Sequence, residues 1–353
     1  MTQELHAPQA PLPSAPADRV LRCTSIREET ASVKTFAFEP VSGEGFGWLP
    51  GQYLTFTLPL PSGDVHRCYS ISSIPGEGIE ITVKALVGGP GSGWLHGELE
   101  PGTVLEAHGP LGSFTPETEA PYLLLAAGSG ITPLMSIARH LLQSGQSVDA
   151  VLLYSAHEPA EVIFHRELRS IPEASGLRTE TILGTGSIPT LGTPRAPGRL
   201  DAALLRELVP DAHLREVYAC GPAGYLDSVR GMLEAVGHDP ARFHTESFDI
   251  AAHAPPAPAV APAAGSQVFS VEFTRSGRTI DCAADAFILD AALAAGIPLP
   301  SSCTQGMCGT CKCPLLEGEV EMNHAGGIRP KEIAACKILI CCSTPTGNLV
   351  IDA

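Results

Sequence analysis

The chain has 353 residues, enough for about two to three domains, with 44% hydrophobic and only 17% charged residues. Its net charge of −16 argues against nucleic acid and anionic membrane surfaces as partners. No apolar run approaches the roughly 20 residues that a membrane helix needs, so no membrane insertion is expected.

Residues 1–17 are rich in Pro and Ala and have neither a basic start nor an apolar segment. They read as a disordered tail without a secretory signal. Eleven cysteines, an odd number unevenly spread, speak against a disulfide framework and for a cytoplasmic location. Over 18–116, short alternating stretches such as "YLTFTL" and "IEITVKAL" lie between Gly and Pro turns. That pattern predicts an antiparallel β-barrel. Over 117–250 the rhythm changes: "YLLLAAG" and "DAVLLYSA" read as strands, "LMSIARHLLQSG" and "EVIFHRELRSI" as helices. Alternating strand and helix predict an α/β domain with a parallel sheet covered on both faces.

The Pro/Ala-rich stretch 251–266 suits no helix or strand interior and reads as a semi-extended linker. In the final block, 267–353, "QVFSVEFTRSGRTIDC" predicts a hairpin turning at Gly277, and "AFILDAALAAG" an amphipathic helix. The chain then reads "SSCTQGMCGTCKC", residues 301–313, and closes on "KILICCSTPTGNLVIDA".

The spacing Cys303-x4-Cys308-x2-Cys311, with a distant fourth cysteine, is the plant-type [2Fe–2S] pattern. Two irons need two thiolates each, so the loop must wrap closely around the cluster. Gly306 and Gly309 remove the side chains that would obstruct it. A zinc site is the alternative, but zinc knuckles rarely leave a four-residue gap. Spacing alone leaves Cys341 and Cys342 both open as the fourth ligand, expected on a strand. Cys23, Cys282, Cys313 and Cys336 are expected not to ligate.

These residues carry resemblances. Residues 267–353 resemble the plant-type ferredoxins, an α+β β-grasp fold. "LICCSTP" matches their ending when Cys341 is the ligand, which gives the set Cys303, Cys308, Cys311 and Cys341. "RCYSISS" at 67–73 matches the R-x-Y-S motif of the ferredoxin–NADP reductase superfamily. The resemblance implies that Arg67 meets a flavin phosphate, that Tyr69 packs on the isoalloxazine and that Ser70 approaches flavin N5. "TVKALVGGPGSGWLH" resembles the family's phosphate segment. This implies Val83, Lys84, Gly91, Ser92 and Gly93 as flavin contacts, with a helix beginning at Trp94. "GPLGSF" at 109–114 resembles the close of the flavin domain and, with that segment, favours FAD over FMN.

"AAGSGITPLMS" matches the family's nucleotide loop and implies Gly128, Ser129, Gly130, Thr132 and Pro133 as contacts for NADH or NADPH. "YACGPAGYLDSV" matches its C-G-P segment, which implies Cys220 near the nicotinamide with Gly221 and Pro222 shaping the site. Glu246 takes the place of the family's acidic residue near the reacting rings. A solvated edge charge is the competing reading of Glu246. His157 follows "LLYSA" where many relatives carry Arg, which favours NADH.

The order flavin, nicotinamide, [2Fe–2S] is similar to the reductase components of Rieske-type oxygenases, and also to hybrid-cluster protein reductases and those of di-iron epoxidases. The chain's ending looks most like reductases that serve glycine betaine demethylation. The resemblance implies an NAD(P)H-dependent oxidoreductase that passes electrons through FAD and [2Fe–2S] to a partner protein such as an oxygenase component. A flavin diaphorase with a zinc-stabilised docking module is the alternative of another class.

Overall fold

The computed structural model describes residues 14–15, 17–61, 63–116, 120–143, 148–171, 175–187, 196–248, 267–297, 299, 306, 311–324, 328 and 330–353. The linker 251–266, most of the N-terminal tail, and Cys303, Cys308 and Gly309 lie outside these residues. The chain forms two compact units, Met1–Phe248 and Asp249–Ala353. The barrel and the α/β block both lie in the first.

The barrel strands are β1 (Ala17–Thr30), β2 (Val33–Pro40), β3 (Tyr53–Leu60), β4 (Gly63–Ser70), β5 (Ile79–Lys84) and β6 (Val104–Leu111), with α1 (Pro90–Gly97) before the last. They pair antiparallel in the order β4-β3-β6-β1-β2-β5. A bridge from Ile71 to Ile81 brings the two edges together. Strand alternation sends Leu21, Phe36, Phe38, Leu54, Phe56, Leu58 and Ile81 into one core, all nearly or fully buried.

The α/β block runs β7 (Tyr122–Ala127), α2 (Ile131–Gln143), β8 (Ala150–Ala156), α3 (His165–Ser170), β9 (Leu177–Leu183), α4 (Ala202–Leu208), β10 (Glu216–Cys220), α5 (Ala223–Ala235) and β11 (Phe243–Glu246). All four pairings in the order β11-β10-β7-β8-β9 are parallel. Along β7, Leu124 and Ala126 join the core beneath α2 and α3, while Leu123 and Leu125 join the one beneath α4 and α5. This is why β7 reads as a continuous apolar run. Leu124 is fully buried, and trimming it to Ala would cost about 2–5 kcal/mol.

The helix expected over 161–171 is mostly absent. Val162, Ile163 and Phe164 are three consecutive buried residues, which one helix face cannot provide, and Phe164 has φ 57°. Only His165–Ser170 is helical.

The second unit contains β12 (Val268–Phe273), β13 (Arg278–Ala283), α6 (Ile288–Ala294), β14 (Lys312–Glu317), β15 (Val320–Met322), α7 (Pro330–Ala334), β16 (Lys337–Leu339), β17 (Ser343–Pro345) and β18 (Leu349–Ile351). The expected hairpin forms as β12–β13, and Gly277 takes φ 63° at its turn. β18 returns parallel to β12, giving the order β13-β12-β18-β14-β16. Ile288, Leu289 and Ala292 of α6 pack onto Val271, Phe273 and Ile351. Among the described residues no helix is long and apolar enough to cross a membrane.

Candidate flavin–nicotinamide cleft and cluster loop

Strand β4 pairs Arg67 with Phe56, Tyr69 with Leu54 and Ser70 with Tyr53. The two-residue period puts Arg67 and Tyr69 on one face. Against that face comes the start of α1. A Cβ on Gly91 would lie 2.9 Å from Arg67 Cγ and 3.4 Å from Tyr69 Oη. Glycine at 91 thus lets the positive end of the helix pack against the Arg67 stem. Two cationic features meeting at a glycine form a cradle that fits a pyrophosphate.

Helix α1 begins at Pro90, not at Trp94 as expected, because proline is well suited to the first helical position. The three N–H groups of Gly91, Ser92 and Gly93 are therefore not equivalent. That of Gly93 is spent on Gly89 O at 2.9 Å, while those of Gly91 and Ser92 open the helix. Ser92 Oγ closes the preceding loop, accepting from Leu86 N at 3.1 Å and donating to Gly89 O at 3.3 Å. Val83 O is engaged by His96 Nε2 at 2.9 Å, and Lys84 Nζ lies 3.7 Å from Glu161 Oε1.

The nicotinamide side lies at the carboxyl ends of β7 and β10, where the strand order reverses. That crevice is where open α/β sheets bind ligands. Gly128, Ser129 and Gly130 form one 3₁₀ turn into α2, and Thr132 Oγ1 caps it by donating to Ser129 O at 3.1 Å. Pro133 is buried in the first turn of α2. A Cβ on Gly130 would lie 2.2 Å from Cys220 O, and one on Gly221 would lie 2.8 Å from Tyr225 Cδ1. Both glycines are thus demanded by close approach. Pro222 precedes α5 as its N-cap.

Cys220 is fully buried and pairs with Glu246 across β10 and β11. Burial pushes its thiol well above the usual range, and the neighbouring Glu246 adds to the rise. Glu246 is half-exposed as a residue, but its Oε2 is enclosed. Burial pushes its carboxyl up to about 8, and the nearby Ser70 hydroxyl offsets part of that rise. Yet neither Ser70 Oγ nor Glu246 Oε2 completes a hydrogen bond. An enclosed Oε2 is unlike a solvated edge charge. Ser70, Cys220 and Glu246, spread over 176 positions of sequence (70 to 246), come to one place. Two orphaned polar atoms there fit a ligand with a polar edge, as a flavin ring has.

Two further groups carry no signature in the sequence. Tyr225 Oη and Ser155 Oγ are buried close together beside the same crevice, and neither completes a hydrogen bond. Arg139 and Ser136 of α2 reach across to the barrel.

In the second unit, Cys311 and Cys341 are both buried. The expected strand carrying the fourth ligand is a 3₁₀ turn, Ile340–Cys342, so Cys341 and Cys342 do not face opposite sides of a sheet. Their hydrogen bonds separate them instead. Cys341 Sγ accepts from Gly306 N at 3.3 Å, whereas Cys342 Sγ donates to Leu339 O at 3.5 Å. A sulfur that receives an N–H suits a thiolate, and a sulfur that donates is a thiol. Gly306 reaches this position with φ 70°. Burial raises the thiols of Cys282 and Cys313 to about 11. The buried soft sulfurs of Cys311 and Cys341, the latter receiving the Gly306 N–H, fit an iron–sulfur cluster.

Known proteins agree with this arrangement. An oxidoreductase FAD-binding domain matches residues 21–115, an oxidoreductase NAD-binding domain matches 124–231, and a 2Fe-2S iron-sulfur cluster binding domain matches 271–346. The glycine betaine monooxygenase reductase subunit of Pseudomonas aeruginosa is 37% identical, with 94% of each chain covered. The stachydrine N-demethylase reductase subunit of Rhizobium meliloti is 34% identical over 94% of this chain and 96% of its own. The solved structure of phthalate dioxygenase reductase superposes with a TM-score of 0.60 at 26% identity, covering 95% of this chain and 98% of that one. The chain belongs to the family of oxygenase reductase components, oxidoreductases in which an antiparallel FAD domain, a parallel-sheet NAD domain and a [2Fe–2S] domain follow one another.

Proposed function

We propose that the chain takes electrons from NADH and delivers them, through FAD and its cluster, to the oxygenase component of a Rieske-type monooxygenase that demethylates glycine betaine or a related quaternary amine. The choice of acceptor rests on the names of the relatives and on their near-complete coverage of this chain. When bound, FAD accepts electrons in pairs and releases them singly, which matches a cluster that takes one at a time. The acidic cysteine-rich chain suits the cytosol.

The observation that carries the reading is the meeting of Ser70, Cys220 and Glu246 at the strand ends. Arg67 and the first turn of α1 hold the pyrophosphate of FAD, and Tyr69 packs on the flavin ring. Ser70 offers its free hydroxyl to the polar edge of that ring. Glu246, protonated below about 8, supplies a second donor there without adding charge. Cys220 stays a neutral thiol and packs beside the nicotinamide. Gly128, Ser129, Gly130, Thr132, Pro133, Gly221 and Pro222 shape the dinucleotide crevice. His157, rather than an arginine, follows β8, which supports NADH over NADPH. Cys303, Cys308, Cys311 and Cys341 hold the irons.

An anaerobic absorption titration tests the reading. The expected result is bleaching of both flavin bands and an iron–sulfur shoulder by NADH, at lower concentration than by NADPH. A flavin-only spectrum with zinc on metal analysis would overturn the cluster assignment. Failure of the reduced protein to reduce a glycine betaine oxygenase component would overturn the acceptor.

A further inference from the structure

Helix α2 serves both sides of the cleft. Its N-terminus carries the Gly128–Gly130 turn and Thr132. Farther along, two of its side chains reach the barrel segment that follows Ser70. Ser136 Oγ donates to Ser73 O at 2.6 Å, and Arg139 Nη1 donates to Ser72 O at 2.6 Å. Positions 136 and 139 lie on one helix face, and the two carbonyls belong to consecutive buried residues. The same segment is held from its other side by β5. Ser72 N donates to Glu80 O at 2.8 Å, and Glu80 N donates to Ser73 Oγ at 2.9 Å.

Arg139 is itself tightly fixed. Its Nε donates to Glu167 Oε1 at 2.7 Å, and its Nη2 to Glu167 Oε2. The Phe164 ring lies 5.0 Å from Cζ, and Glu80 Oε2 is 3.8 Å from Nη1. The unusual φ of Phe164 thus accompanies a ring placed against this guanidinium. A planar fork that binds a carboxylate along one edge has a set direction left for Ser72 O. With 14% of its side chain exposed, Arg139 works largely out of water.

We propose, on the basis of the NADH-to-FAD route above, that Arg139 is a positioning residue for electron transfer from NADH. Through Ser72 O, two residues beyond Ser70, it fixes the flavin side of the cleft against the nicotinamide side carried by the same helix. Arg139 touches neither cofactor in this role. It sets the separation at which they meet.

The test is stopped-flow reduction of the FAD-loaded full chain by NADH. Arg139→Met should lower the limiting reduction rate on the order of 10- to 100-fold, the usual scale for small misplacement of reacting groups. FAD content and the NADH concentration giving half the limiting rate should stay as in the unaltered chain. Arg139→Lys should recover part of the rate, because an ammonium reaches Ser72 O but cannot also grip Glu167 along an edge. Ser136→Ala should slow reduction less than Arg139→Met. If Arg139→Met lowers thermal stability yet reduces at the full limiting rate, Arg139 is only a brace and the proposal is wrong. If Arg139→Met does not fold, unchanged rates in both Arg139→Lys and Ser136→Ala overturn it equally. If the unaltered chain is not reduced by NADH or NADPH, the route itself falls, and Arg139's role with it.

Discussion

The cleft and the cluster loop solve opposite problems of assembly. In the cleft, the chemistry-bearing residues come from two sheets: register pairs Cys220 with Glu246, and tertiary packing brings Ser70 of the barrel beside Glu246. In the cluster loop, three of the four expected ligands sit within nine consecutive residues (303–311). The difference teaches where each site is vulnerable. The loop depends on individual sulfurs, and the cleft depends on how closely backbones approach.

The largest effect is expected at the loop. Cys341→Ser should abolish the iron–sulfur absorption and all reduction of a partner protein, while flavin reduction by NADH persists. Cys342→Ser should leave both intact, because its sulfur donates to Leu339 O. Iron analysis and the visible spectrum of the two variants check this. Equal loss in both would erase the distinction drawn between the two thiols.

Next comes Gly130→Ala, which places a methyl 2.2 Å from Cys220 O. Neither neighbour is a movable side chain, so the loop or β10 must shift, at about 1–3 kcal/mol. NADH affinity should weaken on the order of 10-fold or more, by the usual conversion of free energy to binding. The cluster spectrum should not change. Titration with NADH measures the first and absorbance the second.

Glu246→Gln probes the electrostatics of the cleft. The carboxyl is raised by burial from 4.5 to about 8. Between those values the folded chain keeps a proton that the unfolded chain has released. Stability is therefore full below 4.5 and is lost as pH rises through about 8, by at most about 1.4 kcal/mol per pH unit. The glutamine variant should flatten that slope. Melting temperature against pH reads it directly, and an unchanged slope would remove Glu246 as its source.

The smallest effect belongs to the ion pair of Lys312 with Glu332, at 2.8 and 3.0 Å. Both side chains are partly exposed, so Lys312→Ala should cost about 0.2–1 kcal/mol in the second unit. It should leave NADH reduction of the flavin unaltered. Denaturant unfolding followed at the cluster's absorbance provides the measure.

Much of the fold was legible in the sequence for local reasons. Period-two alternation announced the barrel strands, the apolar run of β7 announced a doubly covered sheet, and Gly277 marked its turn. The helix of 161–171 was misread because a run with helical residues was pulled straight to bury three neighbours at once. The start of α1 was misplaced because glycines around Pro90 looked like loop rather than a first helical turn. The site motifs singled out Ser70, Gly130 and Cys220, and the fold brings Ser70 and Cys220 beside Glu246 and Gly130 against Cys220. They said nothing of Arg139, whose link to the barrel segment after Ser70 is a backbone carbonyl, Ser72 O, a partner that leaves no residue pattern.

By itself the sequence determined the cofactor chemistry: cysteine spacing, glycine placement and the R-x-Y-S run are each contiguous, and contiguous chemistry survives as a string of letters. Tertiary structure alone decided the state of Glu246, the different hydrogen bonds of Cys341 and Cys342, and the reach of Arg139. Each of these depends on burial or on a partner far along the chain. Desolvation and close approach are properties of packed atoms, and packing is set only when strands 176 positions apart lie together.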